Sequence, residues 1–554
     1  LQHNRNHSRT HFNTNILAKI HLTPFNFDIS SANMKFKTPI IKLNKTTFIR
    51  NTNGQLTLSG FVNQNDWSFH SNQGSINTTI QTNELSVNKG YLAWQDIQVA
   101  KAAPVTTVKE NKLSVIHSSA KSLNIKGDIT HKLAQAESID VSLKQTKLEP
   151  IYLNATELKN KLQNYQFSTR YQLQTEQLQQ PKLIPQSWKL LGKLKAQYSP
   201  TANSIIDLNA QGSISNKAGL VVFHNAFYTP KQIYSDWVIP PIYFLAGNSL
   251  QKTFKDWPKL LTLGSGTLQA KGTSKYHLSS LKKAENWQDK LYTQAEISSK
   301  KVSGIFNETT INQLTSEIPI KLNKTKLFAK LPELKVIQIN HGVIAGPIEL
   351  KGEYQASLNQ LTQGKLDLYT AKTGLFNGQA WLNTQQLDFS KPFLSKLHLS
   401  NIGLHALLQQ YPSADIEGSG KINGELPFKI NLLKKPYLTL PEGFLKAKAP
   451  GGLIKYQPAS AGLKQTHQSM KMVMNVLEDF HYSVLNTNIS YGDDKKLHLK
   501  LSLQGNNPAV ENGRQVNFNI QLEEDLPALI TSMQISNQVS ETIKNRIQNK
   551  LQHQ

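Results

Sequence analysis

The sequence predicts a mostly β chain, built from short strands that each carry one apolar and one polar face. Three observations carry this prediction. Apolar and polar residues alternate at period two in many short segments. Apolar residues make up only 38% of the 554 positions, and the polar remainder is largely Asn, Gln, Ser, Thr and Lys. Glycine-centred turn signals fall between the alternating segments. A strand buried on one face needs an apolar residue only at every second position, so this composition suits it. The length predicts three or four domains or one elongated repetitive structure.

The alternations run along the whole chain. They occur at Leu56/Leu58, Leu123/Ile125, Ile139/Val141/Leu143, Ile337/Ile339, Ile348/Leu350 and Leu366/Leu368. The clearest lie near the end. Leu497, Leu499, Leu501 and Leu503 alternate with Lys496, His498, Lys500, Ser502 and Gln504. Val516, Phe518, Ile520 and Leu522 alternate with Gln515, Asn517, Asn519 and Gln521. Period two places each apolar set on one face. Gly54, Gly60, Gly127-Asp128, Gly272, Gly374, Gly378 and Gly492-Asp493 read as turns. Gly264-Ser265-Gly266 and Gly418-Ser419-Gly420 read as turns opening a strand. Neither is a nucleotide fingerprint, because Gln269 and Asn423 stand where a third glycine is required and no helix follows. The aromatics Phe227, Tyr228, Tyr234, Trp237, Tyr243 and Phe244 read as an apolar loop.

Helices are few. Met470, Val473, Met474 and Leu477 predict an amphipathic helix within Gln465–Asp479. Leu158, Leu162 and Tyr165 predict another, and Leu404, Leu407 and Leu408 a short one before Pro412. Asp525 can cap a turn holding Pro527, Leu529 and Ile530. Val539, Ile543, Ile547 and Leu551 recur every four residues in a terminal helical tail. The most apolar stretch, Trp237–Ala246, is too short to span a membrane and is interrupted by Pro240-Pro241. The chain opens at Leu1 rather than Met, which points to a removed upstream segment such as a signal or anchor.

The formal net charge is +25. Phosphate contacts favour such an excess, but the lysines are scattered and several occupy outward strand positions, as Lys496 and Lys500 do. A solvated basic face is expected rather than nucleic-acid binding. The absence of Cys excludes disulfides, cysteine-ligated metals and cysteine nucleophiles. No Gly-x-Ser-x-Gly, His-Glu-x-x-His or Gly-Lys-Ser/Thr phosphate loop occurs. His3, His7 and His11 share a spacing of four in a polar tail without an apolar stripe, so no metal site is expected. Asp493-Asp494 suits a hairpin turn and Glu523-Glu524-Asp525 a helix start. No catalytic residue, metal or cofactor is expected, and a chain of one-sided strands works through its surface.

The last third carries a resemblance. Its succession runs Leu404–Leu408, Ile416–Pro427, Pro441–Ala447, Pro450–Tyr456, Leu477–Leu485, Tyr491, Leu497–Leu503, Gly505–Pro508, Val516–Ile520 and Leu526–Ile530. This order resembles the C-terminal region of the YdbH family, in the AsmA-like group of bacterial proteins, over about residues 330–535. The polar N-terminal region does not align with it. The resemblance implies an elongated, curled, antiparallel meandering β-sheet that forms a groove with a hydrophobic interior. It implies an inner-membrane anchor helix, absent from this chain, and a periplasmic location. It implies phospholipid transport toward the outer membrane and a small outer-membrane lipoprotein partner, for which strand addition at the C-terminal end offers a route. The expected divisions are 1–110, an N-terminal strand-rich segment; 111–330, a middle groove region; 331–535, the family-like region; and 536–554, a helical tail. The candidate groove lining is Ile337, Ile339, Ile348, Leu350, Leu366, Leu368, Leu497, Leu499, Leu501, Leu503, Val516, Phe518, Ile520 and Leu522. The competing expectation is a structural envelope scaffold whose apolar faces are fully packed.

Overall fold

The computed structural model describes residues 10–43, 47–82, 85–102, 115–131, 134–152, 163–200, 202–278, 290–411, 415–434, 437–457 and 468–535. The protein is mostly β and antiparallel. It divides into two compact units, one of residues 1–242, 248–257 and 270–293, the other of residues 243–247, 258–269 and 294–554.

The first unit is an up-and-down meander. Its strands are β1 (His11–Leu22), β2 (Phe25–Lys42), β3 (Phe48–Asn63), β4 (Trp67–Gln81), β5 (Leu85–Ala102), β6 (Val115–His131), β7 (Ala134–Tyr152), β8 (Gln163–Gln179), β9 (Gln186–Ser199), β10 (Ser204–Asn216), β11 (Val221–Thr229) and β12 (Gln232–Tyr243). Each pairs antiparallel with the next. The strands are longer than the sequence suggests. Bulges explain the difference: at Ile29/Ala32, Arg50/Asn53 and Asn88/Tyr91 the register shifts and the alternation breaks, so one long strand reads as several short ones.

Several expected turns lie inside strands. Gly54 and Gly60 sit in β3 and Gly127 in β6. Gly54 has a packing reason, because the Phe36 ring lies over it, and a Cβ there would come within 2.5 Å of the ring. The aromatic stretch 227–243 is not a loop. It forms β11 and β12, and Phe227 stacks on Tyr234 at 4.7 Å between centroids. Tyr165 lies in β8, not in a helix, while Leu158 and Leu162 fall outside the described residues.

Two strands, β13 (Leu261–His277) and β14 (Leu291–Phe306), are divided between the two units. Gly264 and Gly266 lie within β13 rather than in a turn before it. The second unit then contains β15 (Thr309–Asn323), β16 (Lys326–Val336), β17 (Gln338–His341), β18 (Val343–Ser357), β19 (Gln360–Leu375), β20 (Gly378–Leu382), β21 (Gln385–Asp388), β22 (Phe393–Gly403), β23 (Ile416–Ser419), β24 (Lys421–Ile430), β25 (Leu438–Ala447), β26 (Gly452–Tyr456), β27 (Phe480–Tyr491), β28 (Lys496–Asn506) and β29 (Val516–Asp525).

The expected short helix is α1 (Leu404–Gln410), and the amphipathic one is α2 (Gln468–Leu477), in which Met470 also falls. Residues 526–535 are helical, and Asp525 Oδ1 accepts the Ala528 N–H at 2.8 Å as a cap. The turn at Gly342, between β17 and β18, packs against Ile530 and Met533 of this helix. Tyr411 donates to Glu524 at 2.9 Å. These contacts tie the β17–β18 turn and the end of α1 to the last strand and helix of the unit. The terminal tail at Val539, Ile543, Ile547 and Leu551 lies outside the described residues.

The core of the second unit gathers where α1 and α2 cover the sheet. Phe480 is fully buried among Leu399, Ile402, Ile422, Val476, Tyr482, Leu485 and Leu503. Leu404 and Leu408 of α1 pack over Gly418, where any side chain would collide with them. Asn507 donates to the carbonyls of Asn475 and Val476 and so pins the end of α2.

Candidate functional site

Cross-strand pairs in a sheet point their side chains to the same face, so the register can be followed as rows across the strands. In the first unit one row runs Phe36–Gly54–Ile76–Leu92–Ile125–Val141–Leu173–Leu190–Ile214–Val222, from β2 to β11. Every side chain in it is half-buried or exposed, with Ile125 at 41%. A neighbouring row runs Met34–Leu56–Gly74–Trp94–Leu123–Leu143–Tyr171 on the same face. The opposite face between them is polar except at Ala93: Lys35, Gln55, Ser75, Ala93, Asn124, Ser142 and Gln172 pair in sequence.

The second unit repeats the arrangement. One row runs Leu334–Leu350–Ala371–Leu382–Leu397–Leu426 across β16 to β24. The adjacent row runs Val336–Ile348–Thr373–Ala380–Leu399–Gly424–Leu445–Thr487–Leu501–Ile520, reaching β29. The reverse face of these strands carries Lys335, Glu349, Lys372, Trp381, His398 and Glu425 in direct succession. Opposite charges alternate there and pair. Glu349 lies 2.8 Å from Lys372 and 3.0 Å from Lys351, which hold its carboxyl down at about 2. Lys396 meets Glu425 at 2.8 Å, and Trp381 stacks on His398. Ion pairs fix which face meets water, and the apolar rows take the other.

The candidate residues divide along these rows. Leu499/Leu522, Leu501/Ile520 and Leu503/Phe518 face each other across β28 and β29, with Leu497 on the same face. Leu503 is buried in the core, and Val516, Phe518 and Ile520 pack against it; Phe518 meets Phe480 edge-on at 5.3 Å. Leu499 is half-buried and Leu522 is 43% exposed. Ile348 and Leu350 sit in the rows above, Leu366 faces Leu387 of β21, and Leu368 is buried. Ile339 pairs with Ile311 and Ala345. Ile337 lies at the bend between β16 and β17 and is 55% exposed. The sequence reading named no candidate in the first unit, although Leu123/Ile125 and Ile139/Val141/Leu143 carried the same signal.

One polar pair interrupts the apolar face of the first unit. Tyr171 and His224 hydrogen-bond at 3.1 Å across Gly192 and Gly212, which occupy the two strands between them. Burial pushes the tyrosine hydroxyl up and the imidazole down, so the pair is neutral at physiological pH.

Among the described residues no cluster of His, Asp and Glu is placed to hold a metal ion, and no helix is long and apolar enough to cross a membrane. Asp494 accepts the Lys496 N–H and meets His498 at 2.7 Å in its turn, and Glu523 pairs with Lys496. Both acidic clusters are therefore accounted for structurally. His3 and His7 lie outside the described residues.

Apolar rows of this length, left partly open on one face of each unit, offer a surface for long hydrocarbon chains. No curated protein matches the chain. The sequence does match the YdbH-like family model, described as intermembrane phospholipid transport protein YdbH, over residues 42–548. The chain belongs to the YdbH-like family of intermembrane phospholipid transport proteins.

Proposed function

We propose that this protein is a non-catalytic bridge for phospholipids, carrying them between the inner and outer membranes with their acyl chains laid on the apolar faces. The observation that carries the proposal is the unbroken row from Phe36 to Val222, apolar at each step except where Gly54 makes room for a ring, with no member fully buried. Each acyl methylene removed from water contributes about 0.8 kcal/mol. A row of similar Leu, Ile and Val steps makes that gain nearly equal from one strand to the next. A chain can then slide without meeting a deep trap.

The remaining assignments follow the family. The protein works in the periplasm, held to the inner membrane by a segment outside this chain. Near its C-terminal end, β29 offers strand addition to a small outer-membrane lipoprotein. The packed core around Phe480 fills the apolar face near α1 and α2, so lipid is confined there to the part of that face left open, at Leu499 and Leu522.

Mass spectrometry of the purified protein tests the reading. Phospholipid is expected to co-purify, and a Leu92→Asp, Leu350→Asp double variant is expected to lose most of it while staying folded. Lipid-free wild-type protein would count against the proposal.

A further inference from the structure

The polar face of the first unit changes character at β9 to β12. Its row there reads Leu191–Ser213–Phe223–Val238. Leu191 is 39% exposed, Phe223 50% and Val238 46%. These three line an open recess of about 570 Å³, with Gln211, Asn225 and Asp236 on its polar side. The recess sits where Gly192 and Gly212 approach so closely that a Cβ on either would lie 2.8 Å from the other's Cα. It is on the face opposite the apolar rows, so it is not part of the lipid track.

A second feature adjoins it. Lys144, Arg170 and Lys193 pair directly across β7, β8 and β9. All three are exposed, and none has an ion-pair partner among the described residues. Like charges facing each other across strands are destabilising. Elsewhere on this protein's polar faces, cross-strand cations meet acids, as Lys372 meets Glu349 and Lys126 meets Asp140, or neutral residues, as Lys500 meets Asn488 and Gln521. Lys193 is two residues from Leu191 on one strand, and its cross-strand partner Gln211 lines the recess. The uncompensated ladder and the recess therefore form one continuous surface.

The structure assigns this surface to an acidic protein segment that places one apolar side chain in the recess and its carboxylates on the ladder. Concavity favours a protein over a bilayer, because a recess receives a protruding side chain whereas a membrane interface is entered by side chains that project. An apolar seat with neutral amides beside it and charge at one edge matches the anatomy of protein interfaces. The ladder gives the contact its orientation and on-rate. Asp236, at the far side from the ladder and accepting from Thr273 at 2.6 Å, sets the end from which acids are excluded.

The chain has no cysteine, so Lys195→Cys, on the same face of β9 and beside the recess rather than in its lining, accepts a single environment-sensitive fluorophore. The probe is a short synthetic peptide carrying glutamates beside one leucine. Its binding should shift the fluorescence and weaken steeply with salt. Arg170→Glu with Lys193→Glu should weaken it at least about tenfold, and Phe223→Ser should weaken it without changing the salt dependence. A label at Asn124→Cys, on the same face but away from the recess, should not respond. No response, an equal response to a lysine version of the peptide, or a response only to vesicles containing phosphatidylglycerol would each overturn the assignment.

Discussion

Gly74 and Trp94 face each other across β4 and β5, and a Cβ on Gly74 would stand 2.1 Å from Cζ2 of the indole. The glycine is there because the ring is. The indole lies over the neighbouring strand and donates to Ser71 at 2.9 Å. Gly74→Val should expel the ring and break that hydrogen bond, costing about 1–3 kcal/mol. Denaturant unfolding followed by Trp fluorescence measures it, and Gly74→Val with Trp94→Leu should recover part of the loss.

The two kinds of apolar residue should respond oppositely to truncation. Phe480 is fully buried, so Phe480→Ala should cost about 3–5 kcal/mol of stability. Ile125 is 41% exposed on the open face. Ile125→Ala should leave stability within about 1 kcal/mol and instead reduce bound phospholipid. Unfolding curves and lipid content, measured on both variants, should rank them in opposite order.

Glu349 makes an acid-side prediction. Its folded pKa, held at about 2 by Lys372 and Lys351, lies below the ordinary value of 4.5. The folded state therefore gains stability that is complete above about pH 4.5 and disappears as pH falls toward 2. Glu349→Gln should be less stable than the parent near neutral pH, and the gap should close across that window. Salt should narrow the gap at neutral pH, because the lysine partners are exposed.

Much of the fold was legible where strands run without bulges. In β28 and β29 the alternation from Leu497 to Leu503 and from Val516 to Leu522 gives both the strands and the shared face. Legibility fails where geometry interrupts the period. The bend at Ile337 separates it from Ile339, although the spacing is that of one strand face. Gly54, read as a turn in the sequence, instead makes room for a ring, as Gly74 also does. The candidate face was legible residue by residue, but which parts stay open was not. Leu503 and Leu499 read alike in sequence, and only the helices packed near Phe480 distinguish the buried residue from the accessible one. The like-charge ladder was invisible for a similar reason, since Lys144, Arg170 and Lys193 become neighbours only through strand register.

The most direct test of the lipid track is position-by-position photo-crosslinking to phospholipid along single strands. A photoreactive residue is placed in turn at Leu123, Asn124, Ile125 and Lys126 of β6, and at Leu499 and Lys500 of β28. Capture should alternate with the pleat: strong at Leu123, Ile125 and Leu499, absent at Asn124, Lys126 and Lys500. Equal capture on both faces, or none at the apolar positions, would contradict transport along this surface.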